Sequence, residues 1–238
     1  MPMNAPSRAL VEEALREHGL RLRGAWQPTA SDALPQLAGG ANAAVVWMVG
    51  GVGSGLWPAF AASPYFADGL PDPMDRWSRA IGQHLAQRWG GLALFPFDGP
   101  PYWPFQQWAS RAETLHSSPL MLLLHPEYGL WHAYRFALAL PAVSHTDAPA
   151  FTGAGEPAAG TDVCLNCAGQ PCLQACPVKA FDAKGYQLEA CAAHLHSPAG
   201  QNCVQTGCMA RRACPVGTDY AYVPEHAAFH MRAFVGSH

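Results

Sequence analysis

The strongest chemical pattern in the sequence is a set of eight cysteines that all fall within residues 164–214. They form two groups, and each group closes on a Cys-Pro pair, Cys176-Pro177 in the first and Cys214-Pro215 in the second. The first group reads C-x2-C-x4-C-x3-C-P, and the second reads C-x4-C-x5-C-P after an isolated Cys191. Runs of this kind supply thiolate ligands to [4Fe–4S] clusters, and the cysteine before proline binds the other cluster of the pair. The spacing therefore predicts two [4Fe–4S] clusters.

If the cysteine before each proline binds the cluster of the other group, each cluster receives four thiolates. The first set is Cys164, Cys167, Cys172 and Cys214, and the second set is Cys176, Cys191, Cys203 and Cys208. Structural zinc and a group of metal-free buried thiols are the alternatives. A zinc ribbon needs two C-x2-C pairs, and only Cys164–Cys167 has that spacing. Two clusters therefore account for the thiols better than zinc does.

Composition separates the chain into a large aromatic part and a small cysteine part. All eight tryptophans lie between Trp26 and Trp131, before the first cysteine. Residues 144–162 are rich in Pro, Gly, Ala and Thr, which is typical of a linker. We therefore predict a first domain over residues 1–150 and a cluster-binding domain over residues 151–238. Because most of the chain precedes the cysteines, the clusters are expected to exchange electrons with something that the first domain holds.

Charge and hydropathy limit the partners and the compartment. A formal charge of −3, with Lys179 and Lys184 as the lysines, disfavours a nucleic-acid partner. The first residues lack the apolar stretch of a signal peptide. The most apolar segment, AAVVWMVGGVG, is far shorter than the roughly 20 residues that cross a bilayer. Since the cytosol keeps thiols reduced, we expect a soluble cytoplasmic protein with no membrane partner.

Hydrophobic periodicity and turn residues predict the elements that position these groups. The expected elements are helices over residues 7–18, 72–89 and 101–115, a helix from Leu56, strands over 43–49, 92–97, 119–124 and 130–140, and a final helix from Pro224. HPEYG (125–129) is expected to join the last two strands as a hairpin, and Asp72 to cap the second helix. GGVGSG (50–55) is interpreted as a flexible turn, because it lacks the GK[ST] ending of a phosphate loop. This order of elements indicates an α+β fold with a mostly antiparallel sheet.

Two polar positions are candidate site residues of the first domain. His125 lies in the HPEYG loop between two apolar strands, and Asp98 follows a strand in FPFDGPPYW. Burial among aromatic side chains would raise the pKa of Asp98 and make it a proton donor. A solvated turn aspartate is the alternative. His194 and His196, close to the cysteines, are interpreted as surface polar groups.

The segment LLLHPEYGLWH is similar to the HPEYGSW region of epoxyqueuosine reductases, and the cysteine order, including the isolated Cys191, is similar to theirs. Asp98 in FDGP matches the aspartate of their D-T-[AG]-P motif, which is their proposed proton donor. This resemblance covers roughly residues 90–216. It implies a cobalamin-binding domain followed by a ferredoxin domain with two clusters. ETLHSSPLM replaces the G-L-G-W-I-G-K segment of those tRNA-modifying enzymes, and with so few lysines tRNA binding is not expected.

A second resemblance, over roughly residues 40–141, is to CblC-type cobalamin-processing proteins. DPMDRW resembles their D-P-V-D helix start, and HPEYGLWHAYRFALALP parallels their H-P-R-F-G-G-W-F segment. Those proteins bind cobalamin base-off in a nitroreductase-like α+β domain and remove its upper ligand reductively. Leu123 stands where a D-x-H-x-x-G motif would place an axial histidine, which fits base-off binding. The cobalamin contacts that the resemblance implies are His125, Pro126, Tyr128, Gly129 and Trp131.

Three functions are open at this point. The first is an iron–sulfur cobalamin-binding reductase that removes the upper ligand of cobalamin or reduces its cobalt. The second is a cobalamin-dependent reductase of an organic substrate, with Asp98 as the acid. The third is a simple ferredoxin-type electron carrier. The partners expected are cobalamin and an electron-donating reductase or small reductant.

Overall fold

The computed structural model describes residues 6–142 and 163–237. It is a mixed α+β structure, which confirms the predicted fold class at that level. The predicted linker at residues 144–162 lies outside the described residues. Within the two described ranges, no helix combines the length and apolar character needed to cross a membrane.

Eight strands and ten α-helices make up the regular structure of the described residues. The strands are β1 (Arg21–Trp26), β2 (Val45–Val52), β3 (Leu92–Leu94), β4 (His116–Ser117), β5 (Leu123–Leu124), β6 (His132–Leu140), β7 (Phe181–Asp182) and β8 (Gly185–Tyr186). The helices are α1 (Arg8–Arg16), α2 (Trp57–Ala61), α3 (Pro64–Ala67), α4 (Pro73–Arg88), α5 (Phe105–Ala112), α6 (Pro171–Ala175), α7 (Leu188–His196), α8 (Gln201–Thr206), α9 (Met209–Arg212) and α10 (Pro224–Ser237).

The described chain divides into two compact units. The first unit holds the residues up to Thr114 and those from Ala133 to position 142, and the second holds Leu115–His132 and residues 163–237. The predicted first domain, residues 1–150, includes residues 115–132, whereas in the structure this segment packs with the cysteines. The assignment of a nitroreductase-like domain and a ferredoxin-like domain stays a prediction.

The first unit is built on a four-stranded sheet in the order β1-β2-β6-β3. The pairs β1–β2 and β3–β6 are antiparallel. All eight residues of β2 are buried, so this strand forms the centre of the unit. Gly50 and Gly51 belong to β2, and a Cβ on Gly50 would lie 1.9 Å from the carbonyl oxygen of Ala133. The interpretation of GGVGSG as a flexible turn is therefore wrong for its first half, where close strand packing requires glycine.

Helix α4 forms where the four-residue recurrence predicts it. Trp77, Ile81 and Leu85 are all buried on one face, and each such burial contributes about 1.5–3 kcal/mol. Pro73 occupies the first turn, where its missing N–H costs no helical hydrogen bond. Asp72 precedes the helix with φ of 51°, and its side chain makes no capping hydrogen bond within the described chain. The predicted capping role of Asp72 is wrong.

The expected hairpin around HPEYG does not form. Strand β5 pairs with β4, with His116 opposite Leu124, while β6 pairs with β3 in the sheet of the first unit. The HPEYG residues form a tight turn in which His125 and Gly129 exchange two backbone hydrogen bonds of 2.9 Å. Two apolar runs joined by a turn indicate a hairpin, but here each run pairs with a strand from another part of the chain.

The second unit consists of short helices and two small sheets around a core of few large side chains. One cluster of buried residues contains Leu120, Leu124, Leu130, Cys176, Ala180, Ala210 and Cys214, and Trp131 and Leu195 are buried elsewhere in the unit. Small units of this kind usually need disulfides or bound metal to be stable. No cysteine of the described residues, all eight included, forms a disulfide. A bound metal centre in this unit stays a prediction.

Candidate iron–sulfur site

Short helices and turns position the eight cysteines of the second unit. Cys164 and Cys167 share a turn, in which the Cys167 N–H donates to the Cys164 carbonyl at 3.3 Å. The remaining six lie in or at the ends of the helices: Cys172 in α6 and Cys176 at its C-terminus, Cys191 in α7, Cys203 in α8, Cys208 at the start of α9, and Cys214 two residues after it. Every helix from α6 to α9 thus carries or borders a cysteine.

The cysteines face the core of this unit. Cys176 and Cys214 belong to the buried core, and Cys164, Cys172, Cys191 and Cys208 pack against it. Cys203 is also buried, with 5% of its surface exposed. In contrast, Leu165 between the first two cysteines is 81% exposed. The turn that carries Cys164 and Cys167 therefore reaches the protein surface, while Cys176 and Cys203 lie inside.

Several of the thiols lie close enough to interact electrostatically. Cys172 interacts electrostatically with Cys214 and Cys167, and the turn described above adds Cys164. In the other set, Cys191 interacts with Cys176 and Cys203, and Cys208 with Cys203 and Cys191. Each of these pairs falls within one of the two ligand sets that the cysteine spacing predicts, and the sets themselves stay a prediction. The binding of clusters to them stays a prediction.

Three of the eight cysteines are buried and five are partly exposed, and the local environment acts on several of the thiols. Burial raises the pKa of the Cys172, Cys191 and Cys208 thiols. Backbone N–H groups act in the opposite direction, from Leu173 on Cys172 and from Arg211 and Ala210 on Cys208. The Ala180 N–H also donates to Cys176 Sγ at 3.3 Å. These N–H donors would stabilise the sulfurs as thiolates, the form in which cysteine binds metal.

The two predicted kinds of metal centre, zinc and a [4Fe–4S] cluster, place different demands on their ligands. Among residues 6–142 and 163–237, no three His, Cys, Asp or Glu side chains converge closely enough to bind one metal ion. A zinc ion takes four ligands at about 2.0–2.3 Å and so draws them tightly together. In a [4Fe–4S] cube each cysteine binds a different corner, so its four sulfurs stand further apart. Two clusters and structural zinc therefore both stay predictions for these cysteines.

The HPEYG turn is part of the same unit. His125 Nδ1 accepts hydrogen bonds from the backbone N–H groups of Glu127, at 3.1 Å, and Tyr128, at 3.2 Å. Because Nδ1 is an acceptor, the neutral imidazole carries its proton on Nε2. The ring of Tyr128 stacks on His125 with centroids 4.1 Å apart. These bonds fix both side chains of the turn in one orientation.

Glycine allows this turn to pack on the chain that follows Cys214. A Cβ on Gly129 would lie 1.9 Å from the carbonyl oxygen of Val216, and a Cβ on Gly217 would lie 2.3 Å from the carbonyl carbon of Tyr128. Both glycines have a positive φ, +57° and +71°. Tyr220 adds a hydrogen bond of 2.5 Å from its hydroxyl to Glu127 Oε1. The HPEYG turn and the end of the second cysteine group therefore form one packed structure.

Arg211, a residue that the sequence analysis missed, connects the same segment to helix α9. Its guanidinium donates to the Leu130 carbonyl, with Nε at 3.1 Å. The guanidinium also lies over the rings of Trp131, at 4.7 Å, and Tyr222, at 4.5 Å. Arg211 follows Cys208 by three residues, and a basic residue so close to a predicted ligand is the sequence signal that could have identified it.

The predicted cobalamin contacts differ in how accessible they are. Pro126 is exposed, and His125 and Tyr128 are partly exposed. Gly129 and Trp131 are buried inside the unit, and Trp131 is 4% exposed. In this arrangement Gly129 and Trp131 would support the turn, while the other three could touch a ligand.

His194 does not behave as the surface group that the sequence suggested. Its Nε2 atom is buried and has no hydrogen-bond partner among the described residues. It lies on α7 one turn after Cys191, so the two side chains share a helix face. His196 is exposed, as expected.

Asp98 lies in the first unit and forms an ion pair with Arg79. Its side chain is 36% exposed, and the Arg79 guanidinium also lies over the rings of Phe95 and Phe97. The burial among aromatic side chains that the proton-donor hypothesis required is therefore not found. Asp98 is instead a half-exposed ion-pair partner.

No protein-family model matches the chain, and no curated protein matches it.

Proposed function

We propose that this protein is an iron–sulfur reductase that binds cobalamin and reduces it, removing its upper ligand or reducing its cobalt. The observation that carries the proposal is that eight free cysteines lie in one small unit, and that the thiol pairs that interact fall within the two sets of four that the spacing predicts. Two [4Fe–4S] clusters need eight thiolates, and this arrangement uses every cysteine of the chain.

The residues of the second unit would bind the clusters, exclude water from them and stabilise the charge of their thiolates. The clusters, when bound, supply one-electron transfer at potentials that reach about −700 mV, low enough to reduce cobalt. The buried leucines around Cys176 and Cys214 exclude water from the sulfurs. The backbone N–H groups near Cys172, Cys176 and Cys208 would stabilise the negative charge of the thiolates. The exposed turn at Leu165 is the natural entry point for an electron from a reductase or small reductant.

The cobalamin part of the proposal is supported by the resemblances of DPMDRW and HPEYGLW to cobalamin-binding proteins. The structure adds that the turn holding His125 and Tyr128 is rigid and packed on the chain that follows Cys214. A rigid turn of this kind is suited to fixing a large ligand. Cobalamin would be the substrate, and its cobalt the electron acceptor.

The test is a titration of anaerobically reconstituted protein with hydroxocobalamin. The proposal predicts a change in the corrin absorption spectrum and co-elution of corrin with protein on gel filtration. A Pro126→Asp, Tyr128→Ala double variant should lose this binding while keeping its iron, and Tyr102→Ala, an exposed tyrosine of the first unit, is the control. An unchanged corrin spectrum without co-elution would contradict cobalamin binding.

The burial of Gly129 and Trp131 favours a second candidate, a ferredoxin-type electron carrier. In this case the HPEYGLW segment would serve only to hold the cluster unit together. Such a carrier takes up both clusters, shows no affinity for corrin, and reduces a partner protein such as an oxidase. The titration above separates the two functions.

A further inference from the structure

Helix α10 carries two histidines one turn apart, His226 and His230. Residues four positions apart lie on the same face of a helix. The Nε2 atoms of the two imidazoles are 3.1 Å apart, so one ring donates its N–H to the other. Two nitrogens that can bind a metal therefore face each other on one side of α10, and neither residue belongs to the cysteine sets.

Aromatic side chains hold both imidazole rings in position. The Tyr222 ring stacks on His226 with centroids 4.1 Å apart and planes at 20°, and the Arg211 guanidinium lies over Tyr222 at 4.5 Å. The Phe229 ring meets His230 edge to face, with centroids 5.5 Å apart. His226 is 1% exposed, whereas His230 is partly exposed. The pair is therefore pre-organised, and solvent reaches it at His230.

The spacing of the two nitrogens matches that of a metal chelate. Zinc binds imidazole nitrogen at about 2.0–2.1 Å, and two such bonds, meeting between a right angle and the tetrahedral angle, hold the nitrogens about 2.8–3.4 Å apart. The observed 3.1 Å lies within this range. Histidines at i and i+4 on one helix face bind zinc in metalloproteases. Both rings bind as neutral imidazoles with the proton on Nδ1, so one ring changes its tautomer and no proton is released.

The pair supplies two ligands, and water fills the remaining coordination positions. Among residues 6–142 and 163–237, no group of three His, Cys, Asp or Glu side chains could hold a metal ion. Imidazole ligands suit zinc, nickel and copper, whereas magnesium and calcium take oxygen ligands. The chemistry of the pair therefore selects a transition-metal ion that keeps open positions.

We propose that His226 and His230 together bind one divalent transition-metal ion through their Nε2 atoms. The site goes beyond the proposed function, because it uses no cysteine and no cobalamin. The ion joins two successive turns of α10, the helix that packs on α8. Because only the folded helix brings the two nitrogens together, binding of the ion stabilises α10.

The test is anaerobic equilibrium dialysis of the full reconstituted chain against micromolar zinc, with metal content measured by mass spectrometry. Wild-type protein should hold one more zinc ion per chain than His230→Gln. His196→Gln, which replaces an exposed histidine of the same unit, is the matched control and should keep the ion. Zinc on vacant cysteines contributes equally to all three proteins. Zinc at ten times its dissociation constant should also slow amide exchange in wild-type α10 about tenfold.

The zinc K-edge absorption spectrum of wild-type protein identifies the ligands without any variant, and it decides the question if His230→Gln does not fold. The additional ion should show two imidazole nitrogens at about 2.0–2.1 Å, whereas zinc on cysteines shows sulfur at about 2.3 Å. Equal zinc content in wild type and His230→Gln, loss of the same ion in His196→Gln, or a spectrum with sulfur ligands alone overturns the inference. Protein that takes up no clusters or binds no cobalamin overturns the proposed function instead, and the zinc comparison still decides the histidine site.

Discussion

Two glycines of the second unit allow a sharp test of how the HPEYG turn packs. Gly129 and Gly169 both have a left-handed backbone, with φ of +57° and +69°. A Cβ on Gly129 would lie 1.9 Å from the Val216 carbonyl oxygen, whereas a Cβ on Gly169 would meet its nearest atom, Gln174 Nε2, at 3.6 Å. Alanine at either position changes the backbone preference in the same way, but only Gly129→Ala forces two backbone segments apart.

The expected losses follow from these distances. The left-handed conformation costs an L-residue about 1–2 kcal/mol, and overpacking adds about 1–3 kcal/mol. Gly169→Ala should therefore reduce the free energy of unfolding by about 1–2 kcal/mol, and Gly129→Ala by about 2–5 kcal/mol. Native-state hydrogen exchange with mass spectrometry, on peptides covering residues 123–131 and 214–222, measures the local effect in cluster-loaded protein.

The pattern of exchange decides between packing and backbone strain. If the turn packs on Val216 as described, Gly129→Ala increases exchange in both peptides, and Gly169→Ala leaves both close to wild type. Equal losses in the two variants, or an effect of Gly129→Ala confined to residues 123–131, would refute the close packing of the turn on the chain after Cys214.

Three further predictions concern the first unit and can be checked by urea denaturation followed by tryptophan fluorescence. Glu113→Gln leaves the Arg23 guanidinium, which is 1% exposed, without its charged partner, and should cost about 3–5 kcal/mol; a loss below 1 kcal/mol would contradict the buried pair. Asp98→Asn breaks the partly exposed ion pair with Arg79 and should lower the free energy of unfolding by less than about 1 kcal/mol. If the same variant abolishes reduction of an organic substrate but still binds corrin, Asp98 is a catalytic acid. Burial lowers the pKa of His18, so the unfolded chain takes up this proton first and stability falls as the pH drops below about 6.5. His18→Gln should weaken that fall, and an unchanged pH dependence would show that His18 does not cause it.

The sequence predicted what depends on local spacing. The recurrence of Trp77, Ile81 and Leu85 every four residues gives α4 its buried face. The two Cys-Pro closures predict two sets of cysteines, and each thiol pair that interacts in the structure falls within one of those sets. In both cases the residues that matter lie in short runs, so their spacing carries the information.

Features that depend on distant partners were predicted wrongly or missed. HPEYG was expected to join a hairpin, but β5 pairs with β4 and β6 with β3. For Asp98 the sequence left both a buried and a solvated position open, and it did not reveal the ion pair with Arg79, nineteen positions earlier in the chain. Arg211 reaches the Leu130 carbonyl across 81 positions. No local pattern in the sequence marks such pairs, because their geometry is set by tertiary packing.

The central claim is that electrons pass from two clusters in this chain to the cobalt of cobalamin. The most direct measurement is a single-turnover experiment with reconstituted protein that is reduced anaerobically, freed of excess reductant and mixed with one equivalent of hydroxocobalamin. The account predicts that the corrin spectrum changes to that of reduced cobalt while the cluster absorbance recovers, with one electron lost from the clusters for each cobalt reduced. A corrin spectrum that stays unchanged in the presence of fully reduced clusters would contradict it.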